Sequence, residues 1–217
     1  MPSSPPDAAV SPHQGRFLLL EDDPSVARPL SRVVEMHRRA VVAATIADAK
    51  AMFGQEQFSA VILDENLPDG SGLSWLAELR EQGWFGPVLM LTGKFARDVA
   101  NRAQALDAQC VFKPAEPDNI TLFIEHVVER EKAIAERLES AIKSLVDTHK
   151  CTRRETDALR AACSGVPRAD LHKILGVTEN TAKTQVRSLL KRVKEKSIDD
   201  VVQRVLRQVL ADIPRRR

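Results

Sequence analysis

A fivefold alternation between short apolar runs and helix-like stretches constrains this chain more than any other feature, and it extends from Arg16 to about Glu129. Runs of Val, Ile and Leu with few polar residues are typical of strands covered on both faces. Because such runs alternate with helical periodicity, the pattern predicts an α/β domain with a parallel sheet. The five candidate strands are RFLLL from Arg16, AVVAA from Ala40, AVILD from Ala60, PVLML from Pro87 and QCVF from Gln109.

Polar side chains follow four of these five runs. The carboxyl ends of parallel strands share one edge of a sheet, and ligands bind there where the strand order reverses. We therefore expect the polar residues to form one site. They are Glu21, Asp22 and Asp23 after the first run, Asp64 after the third, Thr92 after the fourth and Lys113 after the fifth.

The carboxylates of Glu21, Asp22 and Asp64 make this expected site strongly acidic. So many like charges coexist most easily when they share a hard cation, and Mg²⁺ is the natural candidate. A carboxylate held on Mg²⁺ can attack a phosphoryl group, because the metal neutralises charge that otherwise repels the incoming phosphate. Lys113 would add a fixed positive charge, and the hydroxyl of Thr92 could hydrogen-bond a phosphoryl oxygen.

Four ordered motifs over about 115 residues resemble the receiver domain of two-component response regulators: LLLEDDP, VILDENLPDGSG, MLTGK and VFKP. The resemblance implies a flavodoxin-like, five-stranded parallel fold over residues 16–129. It also implies a role for each matching residue: Asp64 is the phosphoacceptor, Asp22 a direct and Glu21 a water-mediated Mg²⁺ ligand, the Asn66 carbonyl a further ligand, Thr92 the switch residue and Lys113 the phosphate-pairing residue. Taken singly, each could instead be a loop cap, a strand end or a surface charge.

Cys110 departs from the receiver pattern, which usually has Tyr or Phe three residues before the lysine, and the chain contains no Tyr. Either a redox role or a small apolar filler would fit a cysteine here, and we favour the filler. An enzymatic alternative is a phosphatase with an aspartyl nucleophile. Such enzymes carry a second aspartate two residues after the nucleophile, whereas Asn66 stands there, so we do not expect an enzyme.

The second half of the chain is basic. Residues 150–217 carry 17 basic and 8 acidic side chains, net +9, whereas residues 1–149 carry 15 and 22, net −7. Helix start signals occur at Thr152 with Glu155, at Arg168 after Pro167, at Thr178, and at Ser197 with Asp200. The spacing of these short helices, with a turn at Gly176, predicts a helix-turn-helix.

The helix after Thr178 has two distinct faces. Its apolar face, expected to pack in the core, consists of Ala182, Val186, Leu189, Leu190 and Val193. Its polar face, able to reach base edges or phosphates, consists of Asn180, Lys183, Thr184, Arg187 and Lys191. An ordinary solvated helix face is the alternative, and the net charge of this half favours double-stranded DNA as the partner.

The segment from about Cys151 to Leu210, and LGVTENTAKTQVRSLLKRV above all, resembles the four-helix LuxR-type output domain. That resemblance assigns base contacts to Lys183, Thr184 and Arg187. Promoter-reading domains of sigma factors contain similar segments. The fourth helix, SIDDVVQRVLRQVL, has more apolar surface than one face needs, and some of it could pair protomers. The final PRRR could contact a phosphate backbone or stay in solvent.

Between the two domains, apolar residues recur at heptad spacing from Ile120 to Leu145. Either the last receiver helix and a linker helix pack on their own domains, or one continuous helix dimerises the protein. The expected organisation is a disordered tail (1–15), a receiver domain (16–129), a helical linker (130–149) and an all-α helix-turn-helix DNA-binding domain (150–217). The tail lacks a signal sequence, no segment suits a membrane span, and three cysteines without a CxxC pair suggest a reducing cytoplasm.

These observations predict a transcriptional regulator that binds two DNA half-sites as a homodimer. Phosphorylation in a phosphorelay would control this binding. The phosphoryl group would come from a histidine kinase or phosphotransfer protein. The alternative is a receiver-controlled protein-interaction regulator that acts on polymerase or another partner without its own DNA site. The steep salt dependence of phosphate contacts distinguishes the two.

Overall fold

The structure, a computed structural model, describes residues 15–93 and 97–211. They fall into two compact units, one ending at Arg130 and the other beginning at Glu131. The expected tail at the start of the chain and the terminal PRRR lie outside the described residues, apart from Gly15. No helix in the described ranges is long and apolar enough to cross a membrane.

The first unit contains the predicted five-stranded parallel sheet. Its strands are β1 (Arg16–Leu20), β2 (Ala40–Ala43), β3 (Phe58–Asp64), β6 (Val88–Thr92) and β7 (Ala108–Phe112), and a small antiparallel ribbon of β4 (Asn66–Leu67) and β5 (Gly70–Ser71) follows β3. The sheet order is β2-β1-β3-β6-β7. The order reverses between β1 and β3, so the ends of these two strands form the switch point where ligands are expected.

The helices of this unit cover both faces of the sheet, as the apolar runs predicted. They are α1 (Pro24–Glu35), α2 (Ile46–Phe53), α3 (Gly72–Glu81), α4 (Arg97–Ala105) and the first part of α5 (Pro117–His149). Successive residues of β1 alternate between two buried cores: Leu18 and Leu20 pack in one, Phe17 and Leu19 in the other. This alternation explains why the four residues Phe17 to Leu20 are all apolar.

The second unit is helical and has its own core. It comprises α5 from Glu131 onward, α6 (Arg153–Cys163), α7 (Leu171–Ile174), α8 (Glu179–Val193) and α9 (Ile198–Ala211). The start signals at Thr152, Thr178 and Ser197 are confirmed, because each side chain accepts a hydrogen bond from the backbone three residues on. Gly176 has a φ of 62°, as expected for the predicted turn.

The start signal at Arg168 was wrong by three residues. The Pro167 carbonyl accepts a hydrogen bond from Asp170 N at 2.8 Å, which closes a turn over residues 168–170, and α7 begins only at Leu171. The two parts of α5 each bury apolar residues in their own unit: Ile120, Ile124 and Val127 in the first, Ala141 and Leu145 in the second. This is the packing expected from helices that stabilise separate domains, and dimerisation through α5 stays a prediction.

Candidate functional sites: an acidic cluster and a basic helix face

The structure brings Glu21, Asp22 and Asp64 together at the switch point. Carboxylate oxygens of the three residues lie within 4.8 Å of one another. The register explains the convergence, because Leu20 is aligned with Leu63 and the residues that follow leave the sheet side by side. Glu21 and Asp64 are buried and Asp22 is exposed, so the cluster is open to solvent on one side only.

Lys113 joins this acidic cluster from the end of β7. Its Nζ lies 2.6 Å from Oε2 of Glu21 and 2.8 Å from Oδ2 of Asp64. The backbone N–H of Lys113 donates to the carbonyl of Thr92 at 2.8 Å, which fixes the lysine beside the end of β6. One ammonium group therefore contacts both buried carboxylates.

Burial and charge oppose one another in this cluster. Burial raises the pKa of Glu21, the hydrogen bond from Lys113 lowers it, and the nearby Asp64 charge raises it again, so that the net effect is a raised pKa. For Lys113 burial acts to lower the pKa, but the hydrogen bonds and charges of Asp64 and Glu21 outweigh it and the pKa is raised. The lysine therefore stays protonated.

The donor set of the cluster suits a hard divalent cation. Three carboxylates face a single ammonium group, which leaves excess negative charge, and carboxylate oxygens are the ligands that Mg²⁺ prefers. Asn66, also predicted as a ligand, is exposed in β4, two residues after Asp64. The residues present therefore fit Mg²⁺ at Glu21, Asp22 and Asp64.

Asp23 has a different position from its two acidic neighbours. Its side chain is the N-cap of α1 and accepts a hydrogen bond from Ser25 N at 2.8 Å. Its own backbone N–H donates to Oε1 of Glu21 at 3.3 Å. Asp23 thus fixes the start of α1 and helps to orient Glu21.

The loop after Asp64 is held by two residues that the sequence motifs did not assign. Asp69 accepts hydrogen bonds from the backbone N–H groups of Ile46 and Ala47, both at 3.0 Å, and so caps α2. Gly72 begins α3 so close to Asp64 that an added Cβ would lie 2.0 Å from the Asp64 carbonyl oxygen. The turn composition of LPDGSG indicated a tight loop, but not these two contacts.

Thr92 is buried at the end of β6, in the same sheet edge as Asp64. Cys110 is aligned with Met90 on the neighbouring strand and packs against the core that contains Leu63. Burial, and then the charge of Glu65, raise the pKa of its thiol. A protonated thiol is a poor nucleophile, so this environment favours the filler interpretation of Cys110.

The predicted faces of α8 are both present. Ala182, Val186, Leu189 and Val193 are buried in the core, and Leu190 is partly buried against it. The side chains on the opposite face are all exposed: Asn180, Lys183, Thr184, Arg187 and Lys191. Among the described residues, no carboxylate forms an ion pair with Arg187 or Lys191. The face therefore offers cationic groups to a partner.

Two glutamates associated with α8 were not singled out as site residues. Glu179, in its first turn, lies 2.6 Å from Nζ of Lys183. Glu155 of α6 is buried and accepts hydrogen bonds from Ser188 Oγ at 2.5 Å and Arg192 Nε at 3.0 Å. At about 100° per residue, Ser188 and Arg192 lie roughly a quarter turn away from the exposed face, so their contacts set the rotation of α8.

The comparisons with known proteins agree with this architecture. The family model of the response regulator receiver domain matches residues 17–125. A nitrate/nitrite response regulator protein homolog of Haemophilus influenzae is 26% identical over 188 residues, covering 82% of this chain and 89% of the relative. The nitrate/nitrite response regulator NarL of Escherichia coli is also 26% identical, over 63% of this chain and 68% of its own.

Solved structures resemble both the first unit and the longer chain. The receiver domain of a putative Luxo repressor protein from Vibrio parahaemolyticus is 25% identical, with a TM-score of 0.52 over 55% of this chain and 93% of its own. Full-length FixJ from B. japonicum, 17% identical, has a TM-score of 0.52 over 91% of this chain and 98% of its own, a likeness of fold alone. The family model spans half of the sequence, and this chain belongs to the response regulator receiver family, with a helix-turn-helix output domain after the receiver.

Proposed function

We propose that this response regulator is a phosphorylation-controlled, DNA-binding transcriptional regulator of a two-component phosphorelay. Its receiver domain (16–129) would accept the phosphoryl group, and a helical linker (130–149) would connect it to the DNA-binding domain (150–217). The observation that carries the proposal is the Lys113 contact to Asp64 at 2.8 Å within the acidic cluster. It places a fixed positive charge beside a carboxylate that could act as a nucleophile.

In the proposed reaction, an Asp64 oxygen attacks the phosphorus of a phosphohistidine on a histidine kinase or phosphotransfer protein. The new P–O bond forms as the P–N bond breaks, and the imidazole leaves on the donor. Mg²⁺ held by Glu21, Asp22, Asp64 and the Asn66 carbonyl would supply the positive charge that the transferred phosphoryl group requires. Lys113 would then pair with the phosphoryl oxygens, and Thr92 would register their arrival through its hydroxyl.

The output step assigns DNA binding to the exposed face of α8. In a helix-turn-helix, the second helix of the motif lies in the major groove and its N-terminal residues contact base edges. Asn180, Lys183, Thr184 and Arg187 would make these contacts, and Lys191 would contact a phosphate. The charge of +9 on residues 150–217 supports attraction to the phosphate backbone.

We include a homodimer in the proposal, because two copies of α8 could then bind two half-sites. The observation behind this part is apolar exposure on α9, where Leu206 and Leu210 are 41% and 65% exposed. Both lie one turn apart on the same helix face, and apolar contact between protomers would remove them from water.

The test is selection of genomic DNA fragments on the purified full chain, with and without Mg²⁺ and beryllofluoride as a phosphoryl mimic. Asp64→Ala, which cannot form the mimic, is the control. Enrichment of a two-part site only by the wild type with beryllofluoride is the expected result. A two-part site enriched equally by Asp64→Ala with beryllofluoride would contradict control through Asp64.

The second candidate function, a protein-interaction regulator without a DNA site, predicts no enrichment in either state. Affinity for duplex DNA against salt separates the two functions further. Each direct phosphate contact, such as that proposed for Lys191, would add about −0.9 to the slope of log K against log salt. A slope near zero would favour the protein-interaction function.

A further inference from the structure

Glu179 is the one acidic residue within α8, and it lies in the first turn beside the exposed basic face. Residues four apart are neighbours on a helix, so Glu179 and Lys183 lie on adjacent turns. Oε1 of Glu179 is 2.6 Å from Nζ of Lys183, and the two side chains are 64% and 50% exposed. A carboxylate therefore occupies a part of the surface where attraction to DNA phosphates would favour only cations.

The ion pair between Glu179 and Lys183 adds little to the stability of α8. Exposed pairs contribute little to stability because both charges are well hydrated. Thr178, and not Glu179, caps the helix, since its Oγ1 accepts from Thr181 N at 3.2 Å. The hydrogen bond and charge of Lys183 lower the pKa of Glu179. Glu179 is therefore ionised at neutral pH and holds the Lys183 ammonium group.

We propose that Glu179 determines sequence specificity by accepting a hydrogen bond from the amino group of a cytosine in the major groove, while opposing binding to duplexes that lack this cytosine. The inference rests on the proposed DNA binding by α8. A carboxylate has no proton to donate, so it cannot hydrogen-bond a phosphate or the acceptor edge of guanine. The N4 amino group of cytosine is the base-edge partner that suits it.

The pair with Lys183 makes this discrimination two-sided. On a duplex without the matching cytosine, Glu179 keeps Lys183 neutralised and adds its own repulsion from nearby phosphates. On a matching site, the carboxylate is satisfied by the base and Lys183 is released to contact the backbone or a neighbouring base. Removing the carboxylate should therefore strengthen binding to unrelated DNA and weaken the preference for the selected site.

The experiment compares the full chain carrying Glu179→Ala, which removes the acceptor and its charge, with the wild type, both with Mg²⁺ and beryllofluoride. Random duplexes are selected on each protein, and Kd is then measured for the wild-type consensus and for a scrambled duplex at several salt concentrations. Asp170→Ala is the matched control. It removes a carboxylate from another short exposed pair, Asp170 with Lys173 at 2.7 Å, that lies outside α8. Melting of each variant by circular dichroism reports whether the fold is retained.

We expect the wild-type consensus to contain one cytosine per half-site whose preference is lost in Glu179→Ala and retained in Asp170→Ala. One lost base contact corresponds to a fall of about fivefold or more in the ratio of scrambled to consensus Kd. The salt slope on scrambled DNA should steepen by about 0.9, since the released Lys183 adds a phosphate contact. A Glu179→Ala protein that keeps the cytosine preference, or shifts both Kd values as Asp170→Ala does, overturns the inference alone. A wild type that binds no duplex overturns the proposed function with it.

Discussion

Arg192 of α8 donates from Nε to Oε1 of Glu155, the buried carboxylate of the first turn of α6, across 3.0 Å. The other carboxylate oxygen accepts from Thr152 N at 2.7 Å and completes the capping box. One side chain thus both caps α6 and fixes the rotation of α8. The direction in which α8 presents its basic face depends on this contact.

Glu155→Ala should destabilise the second unit by about 1 to 3 kcal/mol, because it removes the cap of α6 and leaves the Ser188 and Arg192 donors without their carboxylate acceptor. The figure is modest because the Arg192 side chain is 41% exposed and water partly replaces the carboxylate. Hydrogen exchange of peptides from α6 and α8 measures the loss directly.

Glu139→Ala is the control for that measurement, since its pair with Arg160 is about half exposed on both sides. We expect it to change protection by less than about 1 kcal/mol. Equal protection in Glu155→Ala and Glu139→Ala would show that the buried carboxylate does not hold α6 and α8 together.

Stability of the second unit should fall in acid through the same carboxylate. Burial acts to raise the pKa of Glu155, but the hydrogen bonds from Ser188, Thr152 and Arg192 outweigh it and hold the pKa below the ordinary value of 4.5. A carboxyl with a lowered folded pKa stabilises the fold above its unfolded pKa and loses that contribution as the pH falls through the folded pKa. The protection factors of amides in α6 and α8, which correct for the intrinsic pH dependence of exchange, should therefore fall below about pH 4.5.

Glu155→Gln supplies the comparison for the acid experiment, because its amide does not titrate. The stability difference between wild type and variant should shrink as the pH falls below 4.5, because the wild-type carboxylate loses its stabilising charge as it is protonated. A difference that stays constant over this range would assign the acid sensitivity to other carboxyls.

The sheet and its site edge were predictable because a strand that is covered on both faces leaves a continuous apolar run, and the polar residue that ends the run marks the edge. Asp64 and Lys113 could be placed together in this way although 49 residues separate them. The contacts of Glu155 with α8 could not be predicted, because the periodicity of one helix does not indicate which other helix packs against it. Gly72 shows the same limit, since the turn composition predicts a loop and not its distance from Asp64.

Gly72→Ala should disturb the phosphoacceptor directly. Its new Cβ would lie 2.0 Å from the Asp64 carbonyl oxygen, a backbone atom that cannot move without shifting the end of β3. We expect a loss of about 1 to 3 kcal/mol in receiver stability, the usual cost of overpacking. Both tryptophans, Trp75 and Trp84, lie in the first unit, so unfolding followed by their fluorescence measures this loss selectively.

The control for Gly72→Ala is Gly54→Ala, whose Cβ would meet its nearest atom at an ordinary 3.5 Å. It should leave both the fluorescence transition and beryllofluoride binding nearly unchanged. If Gly72→Ala binds beryllofluoride as tightly as Gly54→Ala does, the close approach of α3 is not needed to position Asp64.

Lys113→Met should tighten Mg²⁺ binding at the acidic cluster. The Lys113 ammonium group lies 2.6 Å from a Glu21 oxygen and repels any cation that approaches the same carboxylates. Partly solvated charges at such distances interact by a few kcal/mol at most, so we expect Kd to fall by roughly tenfold. Titration calorimetry measures the change in Kd. The pH should be above neutral so that Glu21 stays ionised, because its raised pKa would rise further without Lys113.

Lys50→Met is the matched control for Mg²⁺ binding, because Lys50 pairs with Glu78 at an exposed position on α2 and α3. It removes the same charge from the receiver domain without touching the cluster, and its Kd should match that of the wild type. Weaker Mg²⁺ binding in Lys113→Met than in Lys50→Met would mean that the lysine organises the carboxylates more than it repels the metal.

Arg187→Ala on α8 should weaken DNA binding more than Arg207→Ala on α9 does. The Arg187 side chain is exposed at the centre of the basic face and forms no ion pair with the described residues, so its donors are available to a base or a phosphate. Loss of a base contact would raise the Kd of the selected site by roughly fivefold or more and relax the preference at one position. Loss of a phosphate contact would instead reduce the salt slope by about 0.9 on every sequence.

Arg207→Ala on α9 is the control, because it removes the same charge at a position away from the basic face of α8. Equal Kd values for the two variants would exclude α8 as the helix that contacts the bases.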